Sequence, residues 1–296
     1  MKNVLVTGAT SGIGLELVKL LAEKKINIIF FARDKNKSIK LKTFLESNFR
    51  INVDYYIADF SKLHSIKKAI EQFLDKNIYI DTLVNNAGKV YFSYGKTEDD
   101  LERSFQINYL SHFYITEKLI KEKKILENAQ ILNVSSVAHN PNSSINSLDK
   151  IKYKNLVGQI NFEDINYENI KFRGLTNLFY SRSKMSQIMW TYHRSKTLKS
   201  IKINSLHPGL LGSNVIFENG LLGKILTPFF KIFFRSSKEG AKNILFAMEK
   251  ILEEGMTGKY FDEKEVSESH KFSYNEDNQK KLYDLSNKLL SDRKIN

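Results

Sequence analysis

The sequence contains no cysteine. Disulfides, thiolate catalysis and zinc sites built on sulfur are therefore excluded. Proline is scarce, with 3 residues among 296, and glycine numbers only 14. Collagen-like and proline-rich architectures are excluded in turn. No run of 18 apolar residues exists, so no segment reads as a bilayer-spanning helix. Met1-Lys2-Asn3 leads straight into Val4-Leu5-Val6, too short an apolar run for a secretory signal. The expectation is a soluble, cytoplasmic protein.

What is present is ordinary for a folded chain. Apolar residues make up 42% and charged residues 27%, enough apolar material for a full core. The length suits one large α/β domain or two small ones. The formal charge is +13, from 46 Lys+Arg against 33 Asp+Glu. Such a balance can serve nucleic acid, a membrane surface or an anionic cofactor. No dense basic run stands out, and the lysines sit among Glu, Asn and apolar positions. Nucleic acid is not an expected partner.

Short β-rich runs alternate with longer helical ones. Strands are expected at Asn3–Thr7, Asn27–Phe31, Ile51–Ile57, Ile80–Asn85, Gln130–Ser135, Ile201–Leu206 and Gly258–Phe261. Helices are expected at 12–25, 36–48, 62–76, 97–127, 176–200 and 237–254. Alternation of this kind implies parallel strands joined by crossovers. Val4-Leu5-Val6 and Ile28-Ile29-Phe30-Phe31 are apolar on both faces, as a sheet covered on both sides requires. The expected fold is α/β, a doubly wound parallel sheet of about seven strands between helical layers. No internal repeat or linker divides residues 1–296, so one domain is expected. It would carry a surface insertion near 138–175, a substrate-covering segment near 213–236 and a helical tail near 277–290.

The segment Thr7-Gly8-Ala9-Thr10-Ser11-Gly12-Ile13-Gly14 follows the first strand and opens the first helix. Gly8 suits a tight turn, Gly12 the close approach of a pyrophosphate, and Gly14 tight helix–strand packing. The helix N-terminus offers free N–H groups to phosphate. A glycine-rich turn with no ligand is the plainer alternative.

This pattern resembles the short-chain dehydrogenase/reductase family, and further marks follow in order. They are Asn85-Asn86-Ala87-Gly88, Ser135-Ser136, Tyr180-Ser181-Arg182-Ser183-Lys184 and His207-Pro208-Gly209. Finer features resemble its retinol dehydrogenase-like branch: Asn133-Val134-Ser135-Ser136-Val137-Ala138-His139, Lys238-Glu239-Gly240-Ala241 and Gly258-Lys259-Tyr260-Phe261. The resemblance implies a Rossmann-type fold, a nicotinamide cofactor and an oxidoreductase acting on CH–OH groups.

An acidic residue after strand two usually binds the NAD ribose, whereas an Arg accommodates the NADP phosphate. Here the chain reads Ala32-Arg33-Asp34. Arg33 favours NADP(H); NAD(H) would follow if Arg33 were solvated and Asp34 served the ribose. By resemblance Asp59 lies beside the adenine, or it is simply an acid at a helix start. Asn86, Ala87 and Gly88 would line the cofactor channel. Pro208, Gly209 and Ser213 would face the nicotinamide.

Hydride transfer to a carbonyl needs a proton donor and a group that stabilises negative charge on oxygen. Tyr180 and Lys184 are four residues apart and share a helix face. The Tyr-x-x-x-Lys spacing occurs five times, at Tyr114, Tyr167, Tyr180, Tyr192 and Tyr260, so spacing alone selects nothing. Tyr180 and Tyr192 each carry a Ser just before the Lys, Ser183 and Ser195, but only Tyr180 starts the helix between strands five and six, and Tyr192 lies about three turns further along it. The resemblance makes Tyr180 the acid–base, assisted by Lys184, which also binds cofactor as Tyr180 does. Ser136 would bond the substrate oxygen, with Ser135 as the alternative. Asn108 would hold a water in a proton relay, or be a buried helix Asn. His139 and His207 read as ordinary loop residues.

The gap from Ser136 to Tyr180 is longer than the family's common spacing, and Arg182 is bulkier than the residue often found there. The stretch from Leu221 to Phe234, broken only by Lys224 and Lys231 among charged residues, suits a lipophilic substrate. It also fits peripheral contact with a membrane through 221–234, or a lid packed on its own core. The family often dimerises through the helices holding Asn108 and Tyr180, so a homodimer is open. The main expectation is reduction or oxidation of a retinoid-, steroid- or lipid-aldehyde-like compound. The alternative is a non-catalytic NADP(H)-binding sensor or scaffold of the same fold.

Overall fold

The computed structural model describes residues 2–147, 149, 153, 156–169, 176–209 and 236–295. Its sheet has eight strands, β1 (Asn3–Thr7), β2 (Asn27–Ala32), β3 (Val53–Ile57), β4 (Ile80–Asn85), β5 (Ile125–Val134), β6 (Lys202–His207), β7 (Tyr260–Asp262) and β8 (Glu265–Ser267). The helices are α1 (Gly12–Glu23), α2 (Lys35–Phe49), α3 (Leu63–Leu74), α4 (Arg103–Phe105), α5 (Ser111–Lys121), α6 (Leu178–Thr197), α7 (Ser237–Glu254) and α8 (Glu276–Asp292).

The strand order is β3-β2-β1-β4-β5-β6-β7-β8. All neighbours are parallel except β7 and β8, which pair antiparallel. The eighth strand is an addition to the expected seven. Its three residues are exposed and so lack the apolar signature of a covered strand.

Side chains along each strand alternate between two cores. Leu5, Ile29, Phe31 and Leu83 meet α3, α5, α6 and α8 on one side. Val4, Val6, Ile28, Phe30 and Val84 meet α1, α2 and α7 on the other. The result is the three-layer arrangement that the apolar runs require. Caps set helix ends locally. Asp34 accepts from the Lys37 N–H to start α2, and Ser236 from the Glu239 N–H to start α7, each satisfying an otherwise orphaned donor.

The continuous helix expected over 97–127 is corrected. Asp100 is left-handed at φ 56°, and Lys96 forms an isolated bridge with Glu102. Helix begins only where the Glu102 carboxylate caps Ser104 and Phe105 N–H. It passes through a π-type turn, Gln106–Leu110, before α5. The chain then turns at Lys123, φ 54°, and enters β5 at Ile125.

The tail helix α8 lies against α6 and the start of α5. The Tyr283 ring meets Phe113 at 5.4 Å and His193 at 4.7 Å, and Ser286 bonds the buried Tyr109 hydroxyl at 2.8 Å. In the 138–175 span, Val157 and Tyr167 are buried. The 213–236 segment lies outside the described residues, except for Ser236. Among the described residues no helix is long and apolar enough to cross a membrane.

Candidate active site

The sheet order reverses between β1 and β4, and a crevice at such a switch point is where ligands bind in open α/β sheets. A cavity of about 600 Å³ opens there. Gly8, Ser11, Gly12 and Ile13 form one wall, Arg33 and Asp34 a second. Asp59 and the run Asn86-Ala87-Gly88 complete it.

Gly8 and Gly12 are left-handed, at φ 71° and 56°, a conformation that costs glycine little. A Cβ on Gly12 would meet nothing within 4 Å, whereas one on Gly14 would sit 2.4 Å from the Gly8 carbonyl oxygen. Gly12 thus leaves room at the cavity, and Gly14 lets α1 close against the turn. Ser11, the N-cap of α1, makes no side-chain bond to the first turn. An open glycine wall at a helix N-terminus fits a pyrophosphate.

Thr7, expected at the cofactor, turns inward. Its hydroxyl oxygen accepts the Asn86 and Ala87 N–H groups, each at 2.9 Å. It braces the cavity wall and is absent from the cavity surface. Asp34 Oδ1 accepts the Lys37 N–H at 3.0 Å, so its carboxylate is engaged as a helix cap. Arg33 is exposed on the wall beside it. Asp59 serves both readings: it faces the cavity, and its Oδ1 accepts from Ser61 N–H at 3.0 Å and Ser61 Oγ–H at 2.7 Å.

Behind Gly88 lies the second half of the site. A Cβ built on Gly88 would be 3.3 Å from Asn108 Oδ1 and 3.6 Å from Lys184 Nζ. Asn108 stands in the π-type turn, a distortion often found at functional sites. Its amide clamps Lys89: Oδ1 accepts the Lys89 N–H at 2.8 Å, and Nδ2 donates to the Lys89 carbonyl at 3.0 Å. Nδ2 also donates to Ser183 Oγ at 3.1 Å. Asn108 is therefore more than a helix Asn bonded to backbone; it ties the cavity wall to α6.

Lys184 is buried and donates to the Val134 carbonyl at 2.8 Å and to Gln187 Oε1 at 3.0 Å. Its Nζ stands over the Tyr180 ring, 5.5 Å from the centroid. Burial lowers the Lys184 amine to about 7, because desolvation disfavours its charged form. Tyr180 keeps some surface exposure, yet its phenol is enclosed. Burial pushes that phenol up to about 12, and the hydrogen bond with Ser136 works in the opposite direction.

The two serines are separated by their partners. Ser135 Oγ donates to the Lys184 carbonyl at 2.9 Å and so anchors α6. Ser136 Oγ meets Tyr180 and accepts the Ala138 N–H at 3.2 Å. Among the other tyrosines, Tyr192 bonds Ser269 at 2.7 Å, and Tyr167 packs on the Arg182 guanidinium at 4.4 Å.

Pro208 and Gly209 follow β6 directly, and the Pro208 carbonyl accepts from Asn243 Nδ2 at 3.0 Å. Ser213 and the 221–234 stretch lie outside the described residues. His207 belongs to β6, not to a loop, and is buried. His139 is likewise buried in a single helical turn: Nδ1 donates to the Ser136 carbonyl at 2.7 Å, and Nε2 accepts the His270 N–H at 3.1 Å. Burial lowers it to about 4. The reading of both as loop residues is corrected. Gln187 supports the site from outside every motif read in the sequence; its spacing from Lys184, one helical turn, is the only local signal for it.

The family described as short chain dehydrogenase matches residues 2–147. Retinol dehydrogenase 13 of Mus musculus is 31% identical over 269 residues, covering 88% of this chain and 75% of the relative. An uncharacterised protein from Mycobacterium paratuberculosis superposes with a TM-score of 0.73 at 22% identity, over 98% of this chain and 94% of that one. An NADPH-bound carbonyl reductase from chicken fatty liver gives 0.62 at 21% identity, over 91% and 99% of the two chains.

Proposed function

The chain belongs to the short-chain dehydrogenase/reductase family, in its retinol dehydrogenase-like branch, and on that premise we propose that it is an NADP(H)-dependent oxidoreductase of apolar carbonyl/alcohol pairs. One observation carries the reading. Gly88 belongs to the cavity wall and lies directly against Asn108 and Lys184, so the cofactor cavity and the proton-handling side chains meet at one residue.

Held along the cavity by Gly8, Gly12, Arg33 and Gly88, NADPH would supply a hydride to the carbonyl carbon. The chain's own residues handle the oxygen, where negative charge gathers. Tyr180 Oη gives its proton to that oxygen, and Ser136 donates a hydrogen bond at the same place. The Lys184 side chain, over the ring, stabilises the phenolate left behind when it is protonated. A phenol held near 12 keeps its proton at neutral pH, so the resting site is the acid that reduction needs. Alcohol oxidation would first have to remove that proton.

Arg33 supports the phosphorylated cofactor. It stands on the cavity wall while Asp34, the competing ribose ligand, is occupied as a cap. A guanidinium matches a phosphate in both charge and geometry. The apolar stretch from Leu221 to Phe234 and the resemblance to a retinol dehydrogenase support a lipophilic substrate.

The test is NADPH consumption with retinal, long-chain aldehydes and steroid ketones, with Tyr180→Phe as control. Turnover is expected, with a loss of about 10²–10⁴-fold in the variant. Tight NADPH binding with no reduction of any of these carbonyls would favour the non-catalytic binder instead.

A further inference from the structure

His112 stands on α5, fully buried, between the two halves of the site. Its Nδ1 lies 3.0 Å from the Asn108 carbonyl oxygen, and its Nε2 lies 3.0 Å from Thr7 Oγ1. A carbonyl only accepts, so Nδ1 carries the hydrogen. Thr7 Oγ1 already accepts two N–H groups, from Asn86 and Ala87. Its own hydrogen therefore points to Nε2, which accepts; the Val84 carbonyl is farther, at 3.5 Å. Every donor and acceptor in this chain of bonds has one consistent direction. It runs from the cavity wall through Thr7 and His112 to the backbone of Asn108.

We propose that His112 is a positioning residue that holds the cofactor wall, through Thr7, and the Asn108 turn, through its carbonyl, in one fixed relation. The inference rests on the oxidoreductase reading of the same site. An imidazolium would set an N–H against a hydroxyl oxygen whose accepting capacity is spent, so the network requires the neutral ring. Burial and the neighbouring Lys184 agree, lowering His112 to about 3. The Phe60 ring, 5.2 Å away, closes the pocket around the imidazole. No other side chain could span the two contacts with a donor at one end and an acceptor at the other on a rigid frame. Asn reproduces the near donor, and Gln reproduces the far acceptor.

The two half-replacements make the test. His112→Asn keeps a donor for Asn108 and deprives Thr7 of its acceptor. Its KM for NADPH is expected to rise about tenfold, with kcat within about twofold of the parent. His112→Gln keeps the acceptor for Thr7 and deprives Asn108. Its kcat is expected to fall about tenfold, with KM for NADPH nearly unchanged. A parallel loss in both variants, or a lowered melting temperature with unaltered kinetics, overturns the proposal. Nitrogen-15 NMR of the unaltered protein provides a measurement that needs no variant to fold. His112 should show the neutral Nδ1–H tautomer at pH 6; an Nε2–H tautomer or an imidazolium overturns the proposal. If the parent reduces no carbonyl, the oxidoreductase reading fails separately. NADPH titration of both variants and the tautomer then still decide the role of His112: weaker binding in His112→Asn alone supports it, and equal binding in both overturns it.

Discussion

Arg182 and Glu102 form an ion pair with no exposed side-chain surface, Nη2 to Oε2 at 2.6 Å. The guanidinium also donates to the Ile165 carbonyl and lies between the Phe105 and Tyr167 rings, at 5.1 and 4.4 Å. Glu102 in turn caps Ser104 and Phe105. The bulky residue inside the Tyr180–Lys184 motif therefore faces inward. It ties α6 to the start of α4 and to the long span before Tyr180. Removing one partner strands the other charge in the interior. Arg182→Met is expected to lower stability by about 3–5 kcal/mol in urea unfolding. Combined with Glu102→Gln, the loss should fall short of the sum by about 1–3 kcal/mol. Strict additivity would show that the pair is not coupled.

Cofactor choice should reside in Arg33. On the proposed reading its loss would remove a charge-assisted contact to the 2′-phosphate, while Asp34 remains committed to the α2 cap. Arg33→Ala is expected to raise KM for NADPH about 10–100-fold and to leave KM for NADH nearly unchanged. Equal effects on both cofactors would place Arg33 away from the phosphate.

Local chemistry was legible in the sequence, and long-range chemistry was not. The glycine turn spans eight residues and states its geometry by spacing; Tyr180–Lys184 spans one helical turn, a spacing found five times, and was singled out by its surrounding motif. The Thr7–His112 bond joins residues 105 apart, and the Arg182–Glu102 pair residues 80 apart. No window of sequence holds both partners. The resemblance named Ser136 with Ser135 as the alternative, whereas the bond from Ser135 Oγ to the Lys184 carbonyl, 49 residues on, could not be read from the sequence. The helix expected over 97–127 had sufficient apolar periodicity for one element. It is broken because Glu102 spends its carboxylate on a new helix start. The strand β8 was invisible since none of Glu265, Val266 and Ser267 is buried.

The amine of Lys184 should leave a mark on stability. Its folded value, about 7, lies below the ordinary 10.5. Between these values the unfolded chain binds a proton that the folded chain does not, so stability rises with pH through that window. The contribution is complete above 10.5 and is lost as pH falls through 7. Its slope is at most about 1.4 kcal/mol per pH unit. The buried tyrosines have raised values and oppose the trend above pH 10, so the range to use is 7.5–9.5. Urea unfolding across it should show a rise that Lys184→Met abolishes. A parent protein with flat stability over this range would mean that Lys184 stays charged when folded.

The tail helix should keep the chain monomeric. The α5 and α6 faces, where a homodimer of this family would form, are covered by α8. Leu282 and Leu290 are buried in the core that includes Phe113 and Trp190, and Tyr109 spends its hydroxyl on Ser286. Arg293 fastens the far end by donating to the Asp99 carbonyl at 2.8 Å. A partner copy would have to displace all of these contacts. Sedimentation at micromolar concentration should give the mass of one chain. A chain ended after Tyr274 would expose an apolar helical face and lose the hydrogen-bond partner of Tyr109. It should associate, since a large uncovered apolar patch seeks a partner. An intact chain that sediments as a dimer, with the ended chain unchanged, would mean that the contact lies elsewhere and that α8 serves only the fold.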